Sequence, residues 1–246
     1  MVVLGDLRPI FYAARFMGCG YHLVTEDDIK VTNRGYVYTV FCALLYLASA
    51  VYGIYLLAVE QETDSRLLML TMTRTTLSYL CLLVDIVLTL KWNWKVRSAF
   101  AHLRSFDRAM KLNVPLNKLR NQIMCILVIA VVMIFWAVVG YVSFEAERTA
   151  AVFNGVMYGL VNAAMSMQIL SFLCISYLLS VRFRRLCEML LVGDAEGKVM
   201  VVDYMRRQFR LQEVWWLHCS LANATETINS VYTVQLLLWI SCMSFN

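Results

Sequence analysis

The 246-residue chain has two prolines, ten glycines, three histidines and only 16% charged residues. So little turn-forming material argues against a β-rich fold, which places glycine and proline at its hairpins and bends. The scarcity of charge is the stronger exclusion. With 61% hydrophobic residues and a mean hydropathy of +0.64, there is too little polar surface to cover a water-soluble domain. Catalytic constellations are missing as well: no GxSxG, HExxH, P-loop or GxGxxG pattern occurs, and His22, His102 and His218 lie far apart in the chain. No enzyme is expected, and no catalytic residue, metal ligand set or cofactor site. Met1–Gly35 lacks the basic start, apolar core and small-residue cleavage site of a signal peptide, so the first span must direct insertion itself.

Cysteine is present but forms no framework. The eight cysteines, Cys19, Cys42, Cys81, Cys125, Cys174, Cys187, Cys219 and Cys242, show no CxxC spacing, and none falls in the short loops at Glu60–Arg66 and Glu145–Arg148 that are read as outside. They read as small apolar side chains packed within helices.

What remains is long apolar runs. A membrane helix needs about 20 apolar residues, and such runs occupy about 36–59, 67–90, 121–144 and 151–180. The fold class expected is all-α, a polytopic membrane bundle. A cytoplasmic segment, 1–35, precedes four spans in 36–181, with a basic loop at 91–120. A cytoplasmic linker or helix extension, 182–213, leads to a fifth helix at 214–246. That last helix, Val214–Asn246, is polar in its first half and apolar over Val231–Phe245, with no flanking charge after it. The expectation is of an incomplete fifth helix leading into others, in a chain truncated at its C-terminus.

Between spans, Val96, Phe100, Leu103 and Met110 recur at helical spacing behind the Trp92–Trp94 anchor. An amphipathic continuation of the second helix past the bilayer is expected, then a turn near Asn113–Pro115. A break at Gly193–Lys198 and a second amphipathic stretch through Val199, Val202, Met205 and Phe209 follow the fourth span. Of the 22 lysines and arginines, 19 fall in the N-terminal segment, 91–120 and 182–210. By the positive-inside rule the N-terminus is cytoplasmic, the reverse of a G-protein-coupled receptor. Because the net charge of +5 sits in short blocks between apolar runs, nucleic acid is not an expected partner; the bilayer is.

Charges inside spans invite functional readings. Arg74 and Asp85 lie eleven residues apart on one face, about 16 Å along the axis and so too far to pair. Asn154, Asn162, Ser166, Gln168 and Ser171 make span four polar, with interhelical hydrogen bonds the plainer explanation. Trp136, Tyr141, Tyr158, Tyr232 and Trp239 either anchor at the interface or line a cavity. His218 and Glu226 share a face of the last helix and read as packing. The Asn223–Thr225 glycosylation pattern lies at the inner boundary and is expected to be unmodified.

Leu217-His218, Leu221, Ala222, Ile228-Asn229 and Tyr232-Thr233-Val234-Gln235-Leu236-Leu237 resemble the fifth-helix region of insect gustatory receptors. Phe11–Gly18 is similar to the aromatic, small-residue opening before that family's first span. The resemblance implies a seven-helix subunit of a ligand-gated cation channel that detects small-molecule tastants, sugars or bitter compounds. It implies a homo- or hetero-tetramer when full length, located in the cell membrane. Carried over by depth and side, the ligand pocket would draw on Thr71, Arg74, Thr75, Trp136, Tyr141, Tyr158, Asn162, Gln235 and Trp239. The family's Thr-Tyr and Gln-Phe signature of the pore-lining seventh helix is not in this sequence. An odorant-receptor-like subunit and a fragment of a small-solute transporter are the alternatives; the latter would show inverted repeats and broken helices, and neither is evident.

Overall fold

The structure, a computed structural model, describes residues 7–20, 22–24, 29–59, 65–110, 118–145, 150–191 and 211–245. Helix α1 (Arg8–Phe16) comes first, followed by strands β1 (His22–Val24) and β2 (Ile29–Val31). The remaining helices are α2 (Asn33–Val59), α3 (Ser65–Lys91), α4 (Asn93–Ala109), α5 (Lys118–Glu145), α6 (Ala150–Leu191) and α7 (Leu211–Phe245). The all-α helical bundle is as expected, with one short strand pair beside it. Strands β1 and β2 pair antiparallel, Leu23 opposite Lys30; three residues per strand are too few for alternation to have announced them.

Among the described residues four helices, α2, α3, α5 and α6, are long and apolar enough to cross a membrane. Helix α6 is the axis of the bundle: 44% of its most apolar stretch is buried, against 11% for α5, whose Ile126, Leu127, Val131, Ile134 and Val138 are exposed on the bundle surface. Helix α7 is continuous over 35 residues. Its apolar run, Val231–Phe245, follows a more polar first half.

At 1.5 Å per residue, α7 spans about 52 Å and α6, with 42 residues, about 63 Å. Both outreach a hydrocarbon core of about 30 Å. Arg182 therefore marks the end of the apolar part of α6 but not of the helix. The excess lies at the end of the bundle that carries Lys91 and Arg182, here called the basic end. There α4 starts one residue beyond α3, with Trp92 between them (φ −99°, ψ 14°), its N–H still bonded to Leu88 at 2.9 Å.

Together α3 and α4 run antiparallel to α7 along nearly its whole length. The pairs Ser78–Cys242, Cys81–Leu238, Thr89–Gln235, Lys95–Ser230 and His102–Ser220 mark the register. Val96, Phe100, Leu103 and Phe106 pack on Leu217, Leu221, Ala224 and Ile228. This is the amphipathic face legible in the sequence, here given its partner. The basic end is clamped by Arg182, which donates to both carboxylate oxygens of Asp107 (2.8 and 2.5 Å) and to the Leu178 carbonyl.

Helix α1 lies against α5 and α6, with Ile10 packed among Cys125 and Leu178. The segment is thus part of the bundle. Pro9 sits in the first turn, where a missing N–H is harmless. The helix ends at Gly18, with φ +76°, and a Cβ there would fall 2.3 Å from that of Cys42. Only glycine meets both demands. Tyr38 and Tyr46 of α2 donate to the carbonyls of Phe16 and Met17, at 2.7 and 3.0 Å, and hold the turn. The turn at Asn113–Pro115, the break at Gly193–Lys198 and the stretch from Val199 to Phe209 lie outside the described residues.

Candidate functional site

Helices α5 and α6 meet more closely than ordinary side chains permit. A Cβ on Gly140 would lie 2.7 Å from the Gly155 carbonyl oxygen, and one on Gly159 would lie 2.8 Å from that of Trp136. Gly155 and Gly159 form a small-xxx-small pair, which in a bilayer substitutes close backbone packing for the absent hydrophobic drive. The seam fixes Trp136. Its indole N–H donates to Ser166 at 2.9 Å, and its ring stands edge-on to Tyr158, centroids 6.2 Å apart.

Around Tyr158 a polar junction forms towards the end of the bundle opposite the basic one. The Arg74 guanidinium of α3 donates to the Tyr158 hydroxyl and lies 4.5 Å from the centre of its ring. Asn162 donates from Nδ2 to the Tyr158 carbonyl at 2.9 Å. Its Oδ1, fully buried, has no hydrogen-bond partner. Arg74 itself is only half-buried. Three helices thus bring together a cation, two aromatic rings and an amide with an unused acceptor.

Nearer the basic end, a cavity of about 40 Å³ opens between α1, α3, α6 and α7. Thr89, Gln168, Ser171, Tyr232 and Gln235 supply its polar wall, and Cys19, Phe11 and Phe100 are among its other neighbours. Gln168 donates to the Cys19 carbonyl, tying α1 to α6. Burial pushes the Cys19 thiol well above its ordinary pKa, and the Asp85 carboxylate and Cys42 push it further.

The pocket candidates therefore separate. Arg74, Trp136, Tyr158 and Asn162 converge on the junction, and Thr75 is buried beside Arg74 on α3. Gln235 belongs to the cavity wall. Trp239 is buried in a ring cluster with Phe172 and Tyr232, each 6.3 Å away. Thr71 and Tyr141 are exposed on the bundle surface. Of the residues that carried the resemblance, Leu217, Tyr232 and Gln235 are buried, Leu236 is half-buried, and His218, Asn229 and Leu237 face outward.

A family model described as 7tm chemosensory receptor matches residues 7–246. The chain belongs to that family, the family of insect gustatory receptors. It is a non-enzymatic family. No curated protein and no solved structure matches the chain. As a chemosensory receptor the chain is a multi-pass membrane protein with small-molecule ligands, which gives the polar junction its interest. The sequence reading missed what builds it. Gly155 and Gly159 stand four apart in a span and could have been read as a close-packing pair. The Arg182–Asp107 clamp had a fainter signal: Asp107 is the one acid in a basic segment, one turn beyond the apolar Leu103.

Proposed function

We propose that this receptor is a gustatory subunit that binds a small polar tastant, a sugar or a bitter compound, at the Arg74–Tyr158–Trp136–Asn162 junction. The basic end faces the cytoplasm, as the positive-inside distribution requires, so the junction lies in the outer half of the bundle. In a tetrameric assembly, binding there biases a ligand-gated cation channel. The observation that carries the reading is Asn162 Oδ1: a buried amide acceptor without a donor, beside a half-buried guanidinium and two rings. Rings supply apolar contact to a ligand's body, while an amide and a guanidinium orient its hydroxyls or anionic groups. Volatile odorants, largely apolar, would use little of this chemistry.

Binding by the chain in lipid nanodiscs is measured through thermal shift and indole fluorescence against sugars, bitter alkaloids and apolar odorants. A saturable response to a sugar or alkaloid is expected, weakened at least tenfold in Arg74→Ala. A response confined to apolar odorants assigns the odorant-receptor reading instead. A tastant response unchanged in Arg74→Ala removes this junction as the site.

A further inference from the structure

Asp85 is completely buried on α3; neither carboxylate oxygen has a partner within 3.5 Å, and the Gln235 amide is the polar side chain that approaches them. Gln235 on α7, 1% exposed, directs its Nε2 to the Asp85 backbone carbonyl at 3.5 Å and to Thr89 Oγ1 at 3.2 Å. Its Oε1 is left without a donor. Three buried acceptors thus cluster at the α3–α7 contact, next to the cavity that Thr89 and Gln235 line. An isolated carboxylate in such surroundings is too costly to leave uncompensated. The buried cation of the basic end is already committed, since Arg182 is held by Asp107.

We propose that Asp85, Gln235 Oε1 and Thr89 Oγ1 bind one small monovalent cation of the sodium class, completed by water in the adjoining cavity. Charge selects the ion. A single carboxylate balances one positive charge, whereas a divalent ion would leave a buried surplus and calls for more carboxylate ligands. Softer metals want nitrogen or sulfur, and no group of three or more His, Cys, Asp or Glu suited to a metal exists among the described residues. A proton on Asp85 can be donated to one acceptor only, whereas a cation can be shared among several oxygens. Space permits it, because a water needs about 10–15 Å³ and the cavity offers about 40 Å³. The site would couple α3 to α7, and it stands whether or not the tastant reading does.

The test is the melting temperature of the 246-residue chain in nanodiscs at pH 8, in sodium chloride against N-methylglucamine chloride at equal ionic strength. A saturable rise with sodium is expected, about 2–4 °C at a concentration several times the dissociation constant. Asp85→Asn, isosteric and neutral, should abolish the sodium dependence. Should that variant not fold, the wild-type titration decides alone. Melting independent of sodium overturns the proposal. So does melting that changes with pH equally in both salts, which would assign a proton to Asp85.

Discussion

The bundle holds two arginines in opposite ways. Arg182, 2% exposed, is gripped by a carboxylate through two charge-assisted bonds and by a backbone carbonyl. Arg74 is half-buried and rests on a tyrosine, hydroxyl and ring face both. The first arrangement is a fixture: removing either partner strands a charge, so it locks α4 to α6. The second is exchangeable, because a ligand oxygen can replace a phenol at a guanidinium with little loss. The difference separates a scaffold at the basic end from the junction proposed to take a small molecule.

The largest effect should come from breaking the fixture. Asp107→Ala is expected to destabilise the chain by about 3 kcal/mol, the low end for a broken buried pair, since Asp107 is 29% exposed. Unfolding in mixed micelles measures it. Replacing both partners, Arg182→Met with Asp107→Leu, should recover most of the loss; a double variant as unstable as the sum of the singles would show that the pair is not a unit.

Next comes the seam that positions the junction. Gly159→Val forces methyl groups against the Trp136 carbonyl, at a cost of up to about 3 kcal/mol. The same variant should weaken tastant binding, because Trp136 must shift. Binding intact in a destabilised Gly159→Val chain would detach Trp136 from the site.

A smaller effect is expected at the exchangeable arginine. Tyr158→Phe keeps the ring beneath Arg74 and removes the hydroxyl, so stability should fall by no more than about 1 kcal/mol. A loss rivalling that of Asp107→Ala would erase the contrast between the two arginines.

The smallest perturbation is chemical. Because the Cys19 thiol is buried and its pKa is raised, it stays protonated at pH 8 and should be among the last to take N-ethylmaleimide. Cys187, exposed on the far extension of α6, should react early. Mass spectrometry of a labelling time course gives the order, and early labelling of Cys19 would mean that the α1 dock opens readily.

Much of this architecture was legible in the residues. Runs of apolar side chains long enough to cross a bilayer announce themselves, because hydrocarbon tolerates only helices whose backbone bonds are internal. The spacing of Val96, Phe100 and Leu103 likewise marks a helix with one apolar face, and the structure supplies α7 as its cover. The β1–β2 pair was not legible, because such short segments take their conformation from what they pack against.

Sequence alone thus determined the class: spans, their number to within the ambiguous α7, the basic loops and the family. These follow from local composition, since partition into a bilayer is decided segment by segment. Which polar residues meet, only the tertiary structure decided. Arg74 and Asp85 share a face of one helix, yet Arg74 finds Tyr158 on α6 while Asp85 comes to lie by Gln235 on α7. Such meetings depend on how closely two backbones approach, and at Gly140 and Gly159 that distance is set by the absence of a side chain.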